Sequence, residues 1–433
     1  MPRPLCILAA LACLCSGAFG QTQAPASQTA DQQETIKALM QEVNELKARV
    51  AALEAKENQP SQQSAQAQVE PTPQAESTVT QGTSQANVAN PERFGVVHGI
   101  KLQAFGTATY KASDANPPEQ GASLGFRPGS AGNFAVGDVD LFMTSQLSAR
   151  TSVLSEVVFS EQNSGEFETD LERLLLKYDP SDYLKMSFGR FHTATSYYNT
   201  VFHHGLWLQT AVDRPLVVEF SDHGGLLPSQ AIGTSFTGAI PSGSLGLNYV
   251  FEYGSAATIR PQITSPDALE IEENNGNETT VGLFLKPESV PGLDVGGSFY
   301  HDRLNPDSDN LHISQSVASA HAVYVTPRFE FLNEGFLIQH KVSETGQTFN
   351  TPAFYSLISH QFGSKWRPYF RYQYVNASPV EPLFFDVSLR HGPSAGLRYE
   401  LNDYVALKAQ IDHTIRRGQA SFNDLQAQMA FRF

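Results

Sequence analysis

The 433-residue chain has only three cysteines, and all of them lie within its first fifteen residues, at Cys6, Cys13 and Cys15. If that segment is removed during export, the mature chain contains no thiol. The mature protein then has no disulfide, no cysteine-based zinc site and no cysteine nucleophile.

Long hydrophobic runs are also missing. Apolar residues make up 41% of the sequence, yet no stretch beyond the first twenty residues approaches the roughly 18 apolar residues of a membrane helix. Basic residues are few, since 29 Lys and Arg stand against 44 Asp and Glu for a net charge of −15. This acidity argues against nucleic-acid binding, which needs a basic surface.

Because no run is long enough for a membrane helix, a mature chain that spans a membrane must do so with strands.

Residues 1–20 have the pattern of a secretory signal peptide. Arg3 supplies a positive charge, residues 5–14 form a short apolar run, and small residues precede Gln21. The cysteines raise the alternative of a lipoprotein signal, but the residues before them fit that motif poorly. We expect residues 1–20 to be absent from the mature protein.

A heptad repeat occupies residues 34–57, after a flexible N-terminus at 21–33. Its apolar seam consists of Ile36, Leu39, Val43, Leu46, Val50 and Leu53. Glu42 would face Lys47, and Arg49 would face Glu54, on a parallel partner helix, so both pairs attract. The repeat predicts a coiled coil that joins copies of the chain, with a dimer nominally favoured. The alternative is a single amphipathic helix that packs on the folded domain of its own chain, which is described below.

Residues 58–90 are rich in Gln, Ser, Ala, Thr and Pro and contain no aromatic residue. Such a composition cannot bury enough apolar surface to fold, which predicts a disordered linker. The composition changes at Pro91, where aromatic residues, glycines and alternation of apolar with polar residues begin. Residues 91–433 are therefore expected to form the folded domain.

Alternation with a period of two dominates that domain. Leu425, Ala427 and Met429 alternate with Gln426 and Gln428, as expected for a strand with one apolar and one polar face. The pattern predicts an all-β fold: a transmembrane, antiparallel, up-and-down barrel of about sixteen strands, preceded by the short N-terminal coiled-coil helix. Longer connections, such as residues 376–385, are typical of the external side. The residues predicted to face the lumen include Asp138, Asp140, Arg371, Arg398, Lys408 and Arg432, with Lys185, Glu156 and Glu252 as further candidates.

The order of heptads, polar linker and a barrel ending in Phe433 resembles the phosphate-selective (O/P-like) porins of Gram-negative outer membranes. Residues 170–179 and 184–190 resemble the strand–turn–strand block of that family, which ends in Gly-Arg. The resemblance implies a trimeric sixteen-stranded channel with an inward-folded constriction loop, and a coiled coil in the periplasm. The terminal Phe433 resembles the signal recognised by the barrel assembly machinery. No ladder of inward basic residues can be mapped, so phosphate specificity is not implied.

Residues 192–215 lack strand alternation and contain one of the two tryptophans. In the porin interpretation this stretch folds into the lumen. The predicted constriction residues are Arg190, His192, Tyr197, Tyr198, Trp207, Asp213 and Arg214. The alternative is a packed cap without a role in selectivity. His192, His203, His204 and His223 are candidates for a metal site, but adjacent loop histidines are more often interfacial, so neither metal nor cofactor is expected.

The function predicted from sequence is an outer-membrane porin for passive diffusion of small hydrophilic solutes or ions. Inward charges of both signs, with an acidic excess, predict weak or cation-leaning selectivity. One alternative is a non-conducting barrel that serves as an adhesin or as a tether to peptidoglycan, and another is an anion- or phosphate-selective porin. The sequence contains no Gly-x-Ser-x-Gly element and no Gly-rich phosphate loop, so no enzyme is expected. The expected partners are outer-membrane lipid and further copies of the chain.

Overall fold

A computed structural model describes residues 96–97, 99–115, 133–161, 167–202, 205–220, 224–256, 259, 277–304 and 311–433. The predicted signal peptide, coiled coil and linker lie outside the described residues. His203, His204 and His223 also lie outside them.

The described residues form long antiparallel strands with one short α-helix and three 3-10 turns, one of them Gly243–Leu245. The strands are β1 Ile100–Ser113, β2 Asn133–Gln146, β3 Thr151–Glu161, β4 Phe167–Ser181, β5 Leu184–His192, β6 Gln230–Ala239, β7 Leu247–Ala256, β8 Glu278–Leu285, β9 Leu293–Leu304, β10 Ile313–Val325, β11 Phe329–Val342, β12 Thr348–His360, β13 Trp366–Asn376, β14 Leu389–Glu400, β15 Val405–Arg416 and β16 Phe422–Arg432. A two-residue strand, Val96–Val97, pairs with the start of β1. Between β5 and β6 lie the helix α1, Tyr197–Val201, and two 3-10 turns, Leu206–Leu208 and Leu216–Val218.

The sheet closes on itself. Each of the sixteen strands pairs with the next in sequence, and β16 pairs with β1, where Leu425 lies opposite Ala112 and Phe431 opposite Gly106. Closure gives every strand a partner on both sides, which a sheet in lipid requires because unpaired backbone groups there are costly. The predicted sixteen-stranded antiparallel barrel is confirmed.

The side-chain environment along β16 is the reverse of a soluble barrel. Leu425 and Met429 are 48% and 44% exposed on the outer surface, whereas Asp424 and Gln426 are 1% and 4% exposed inside. An apolar exterior and a polar interior suit a barrel that has lipid outside and water inside. Within the described ranges, no helix has the length and apolar character that a membrane crossing needs.

Two connections at the same end of the barrel fold inward. The connection between β5 and β6, residues 193–229, is here called the inserted segment. The connection between β13 and β14, residues 377–388, is here called the second inward loop. Tyr198, Val217 and Val218 of the inserted segment and Leu383, Phe384 and Val387 of the second inward loop join an apolar core with Phe336, Ile338 and Val342 of β11. One side of the barrel interior is thus packed like the core of a soluble protein.

Glu381 holds the second inward loop in place. Its carboxylate is buried and hydrogen-bonds His340 of β11 at 2.8 Å, while the His340 ring lies 4.9 Å from that of Phe384. The sequence predicts that residues 376–385 form one of the longer connections of the external side. The structure adds that this connection folds inward and buries Phe384 completely.

Candidate pore site between the inserted segment and the barrel wall

The inserted segment begins at a carboxylate of the opposite wall. Glu334 of β11 is 3% exposed and accepts hydrogen bonds from the backbone N–H groups of Tyr197 (2.7 Å) and Tyr198 (2.9 Å). It also accepts from the Ser196 hydroxyl at 3.0 Å, and Ser196 in turn caps α1. A carboxylate at free N–H groups of a helix start is favourable, because those groups lack intrahelical partners. Glu334 therefore fixes where the segment crosses the barrel.

The middle of the inserted segment is joined to β13 by an ion pair between a buried arginine and a half-buried aspartate. Arg371 is 1% exposed, and its guanidinium donates to the Asp213 carboxylate at 2.7 Å and to the Asp213 carbonyl at 2.8 Å. Gln410 and Gln426 each donate to the same carboxylate at 2.9 Å. Charge-assisted hydrogen bonds of this kind are the stronger ones in proteins. Asp213 is thus tied to three strands of the wall at once.

Two further basic side chains of the wall bind backbone carbonyls of the inserted segment. Lys408 donates to the carbonyls of Leu206 (2.6 Å) and Ala211 (2.9 Å), and Arg398 donates to that of Gln209 at 2.7 Å. Trp207 lies between the guanidinium groups of Arg398 and Arg432, whose centres are 5.0 and 5.4 Å from its ring. These contacts hold the inserted segment directly against β14–β16, so no open lumen remains along that wall.

The segment is also held internally. Arg214 donates to the carbonyls of Phe202 (3.0 Å) and Val218 (2.8 Å), and its guanidinium lies 4.0 Å from the centre of the Phe220 ring. The Asn199 side-chain amide donates to the carbonyls of Thr193 (3.0 Å) and Ser229 (2.7 Å), which joins the two ends of the segment. These internal contacts give the segment a fixed shape that does not depend on the wall alone.

A cavity of about 260 Å³ remains between the inserted segment and the inward faces of β2–β10. Its charged lining residues are Arg173, Lys177, Lys185, Lys286, Glu252 and Asp294. Arg173 pairs with the buried Glu156, and Lys286 lies 3.5 Å from Asp294. The basic side chains of β4 and β5 therefore stand on one wall, whereas Glu252 and Asp294 stand on β7 and β9. The lining thus carries charges of opposite sign on different strands, which sets up a field within the cavity.

The predicted constriction residues fall into different places. His192 and Tyr197 line the cavity. Tyr198 and Arg214 are buried inside the segment, while Trp207 and Asp213 bind the far wall. Arg190 lies away from the cavity, in the outward row of β5 that contains Leu184 and Phe188, and it hydrogen-bonds Gln230 (3.0 Å) and Asp170 (3.3 Å).

The predicted lumen residues also differ in their surroundings. Asp140 is 1% exposed on the inward face of β2, and Asp138 accepts a hydrogen bond from Ser160 at 2.8 Å. Arg371, Arg398 and Lys408 face inward but are covered by the inserted segment. Arg432 contacts Trp207 and donates to the Asp403 carbonyl at 2.9 Å.

Sequence reasoning missed Arg173 and Lys177 as cavity residues. They alternate with Leu174 and Leu176, which is the signal that could have found them. The uninterrupted run Leu174–Leu175–Leu176 hides that alternation.

No protein-family model matches the chain, and no curated protein matches its sequence. Solved structures do match. An anion-selective porin from Comamonas acidovorans has 11% identity and a TM-score of 0.54, over 77% of this chain and 99% of that one. The outer membrane channel DcaP of Acinetobacter baumannii has 7% identity and a TM-score of 0.53, over 77% and 97%. OmpF of Salmonella typhi, in complex with daunomycin, has 11% identity and a TM-score of 0.51, over 77% and 97%. The chain thus shares the barrel fold of outer-membrane porins.

Proposed function

We propose that the protein is an outer-membrane porin through which small hydrophilic solutes and ions diffuse passively. The observation that carries this proposal is the cavity beside the inserted segment. One side of the closed barrel is packed, and the other keeps a space whose lining includes six charged side chains. Charged side chains are costly in a dry interior, so such a lining favours water. The barrel folds of the structural neighbours support the same proposal.

We further propose weak selectivity between small ions. Arg173 and Lys286 each lie next to a carboxylate, and the other two basic lining residues, Lys177 and Lys185, exceed the remaining lining carboxylate, Glu252, by a single charge. Rings of one sign bias an ion channel strongly, and the described lining has no such ring. The phosphate-selective resemblance would require a stronger anion preference.

The test is conductance of the purified full-length protein in a planar bilayer. We expect stepwise, water-filled conductance in KCl, and a reversal potential close to zero in a KCl gradient. A strong anion preference would favour the phosphate-type alternative. Absence of any conductance would contradict the porin proposal and favour the tether or adhesin.

The assembly proposals extend those made from the sequence. We propose a homotrimer in the outer membrane with residues 34–57 in the periplasm as a coiled coil, and assembly by the barrel machinery through Phe433. Contact of the coiled coil with peptidoglycan belongs to the tether alternative. We propose no metal, cofactor or catalytic activity, because passive diffusion needs none.

A further inference from the structure

The lining of the cavity contains an apolar patch. Leu154 of β3, Leu175 of β4 and Phe191 of β5 pack together with the partly buried ring of Phe142, and all four border the cavity. Such a surface offers water no hydrogen bonds, whereas contact with it would stabilise an apolar group of a solute. The patch therefore marks a place where a passing solute can stop.

Basic side chains surround this patch. Arg173, Leu175 and Lys177 follow one another along the inward face of β4, so neighbouring members of this row are about 7 Å apart. Lys185 extends the same wall on β5, where Lys177 lies opposite Ser187. Lys177 and Lys185 are thus diagonal neighbours, a spacing of about 7–8 Å. A single anionic group between them is within reach of both flexible ammonium groups.

We infer that this wall binds organic anions that carry a flat apolar ring, with aromatic carboxylates as the chemical class. The ring would lie on Leu175 and Leu154, beside the Phe142 ring and the Arg173 guanidinium that lies 5.5 Å from its centre, and the carboxylate would pair with Lys177 and Lys185. Cations with the same ring are disfavoured here, since the nearest carboxylates that line the cavity are on β7 and β9. This inference rests on the proposed pore and adds a binding site to it.

Sodium benzoate and sodium acetate separate the two parts of this site, because they share a carboxylate and differ in the ring. We expect benzoate to reduce the KCl current of the full-length protein at about tenfold lower concentration than acetate, since contact of about two ring carbons with the patch, at about 0.8 kcal/mol each, amounts to the roughly 1.4 kcal/mol of a tenfold difference. Isothermal titration of the detergent-solubilised protein with the same two salts should give the same ratio. Equal potency of the two salts would overturn the inference and leave the pore intact.

Variants assign the effect to the patch. Leu175→Thr should bring benzoate down to the potency of acetate, whereas Lys177→Gln should weaken both anions. Leu176→Thr is the matched control, because it makes the same change one residue away on the outer face, where Leu176 is exposed. An unchanged benzoate preference in Leu175→Thr would contradict the site. Phe142→Thr repeats the test if Leu175→Thr does not assemble, as judged by heat-modifiable migration in gels.

The calorimetric measurement also separates this inference from the porin proposal. A protein that binds benzoate tightly but conducts no current would overturn the porin and keep the binding site. A protein that conducts but binds neither anion preferentially would overturn only the binding site.

Discussion

The ion pair between Arg371 and Asp213 allows a quantitative prediction about the stability of the inserted segment. Replacing Arg371 by Met removes both hydrogen bonds to Asp213 and leaves the carboxylates of Asp213 and Asp412 close to the same two amides, those of Gln410 and Gln426. Breaking a fully buried ion pair by removing one partner costs about 3–5 kcal/mol, and because the Asp213 side chain is 31% exposed we expect a cost no higher than the low end of that range. The cost falls on the segment, because Arg371 contacts it directly.

The barrel should survive this change. Lys408, Arg398 and Glu334 still bind the segment, and the strand pairing of β13 with β12 and β14 is untouched. At the low end of that range, about 3 kcal/mol, local opening of the segment becomes about a hundredfold more frequent. Backbone amides of residues 206–216 should therefore exchange hydrogen about a hundredfold faster in Arg371→Met than in the unaltered protein.

Arg367→Met provides the matched control. Arg367 lies on the same strand, but its guanidinium binds Gln361, Ser359 and the Pro327 carbonyl, none of which belongs to the inserted segment. Hydrogen exchange followed by mass spectrometry should show faster exchange at 206–216 in Arg371→Met only. The reasoning would be refuted by unchanged exchange in Arg371→Met, or by an equal increase in both variants.

Two further predictions concern the barrel wall and the N-terminus. Gly189 has φ of +126°, and an added Cβ would lie 2.0 Å from the Leu174 carbonyl oxygen. Gly189→Ala should therefore destabilise the barrel by about 1–3 kcal/mol. In heat-modifiable gel migration, the folded band should then disappear at a lower temperature. An unchanged temperature would contradict this. Leu46→Asp combined with Val50→Asp should weaken oligomers in analytical ultracentrifugation without unfolding the barrel. If a chain lacking residues 21–90 forms equally tight oligomers, the coiled coil is not the assembly device.

The barrel was predictable because alternate side chains along each strand face lipid and the barrel interior, and the polarity of the residues alternates accordingly. Leu407 and Ile411 alternate with Lys408 and Asp412 along β15, and the structure exposes the first pair and buries the second. No long-range information is needed for such a pattern. Closure then follows from the cost of a free edge in lipid.

The interior was less predictable, because it depends on where the two inward loops lie. The sequence indicates that residues 192–215 are not a strand, but it contains no signal for the wall they contact. Trp207 illustrates this: the aromatic side chain was expected in a constriction, and it packs instead on Phe105, Ala406 and Ala430. The inward charges Arg398 and Lys408 were found by alternation, whereas their backbone partners, about 190 and 200 residues away in sequence, could not be.

The order of elements along the chain gives the inserted segment a role in assembly. Residues 193–229 precede β11–β16, yet these six strands carry many of the buried groups that bind the segment, including Glu334, Arg371 and Lys408. Closing β16 onto β1 without the segment inside would leave these side chains without the hydrogen bonds that the segment supplies, each worth about 1.5–3 kcal/mol. We therefore expect β11–β16, the last third of the barrel, to assemble around the inserted segment during folding. Loss of these contacts should slow closure of the β1–β16 seam in a refolding assay more than it weakens the finished barrel.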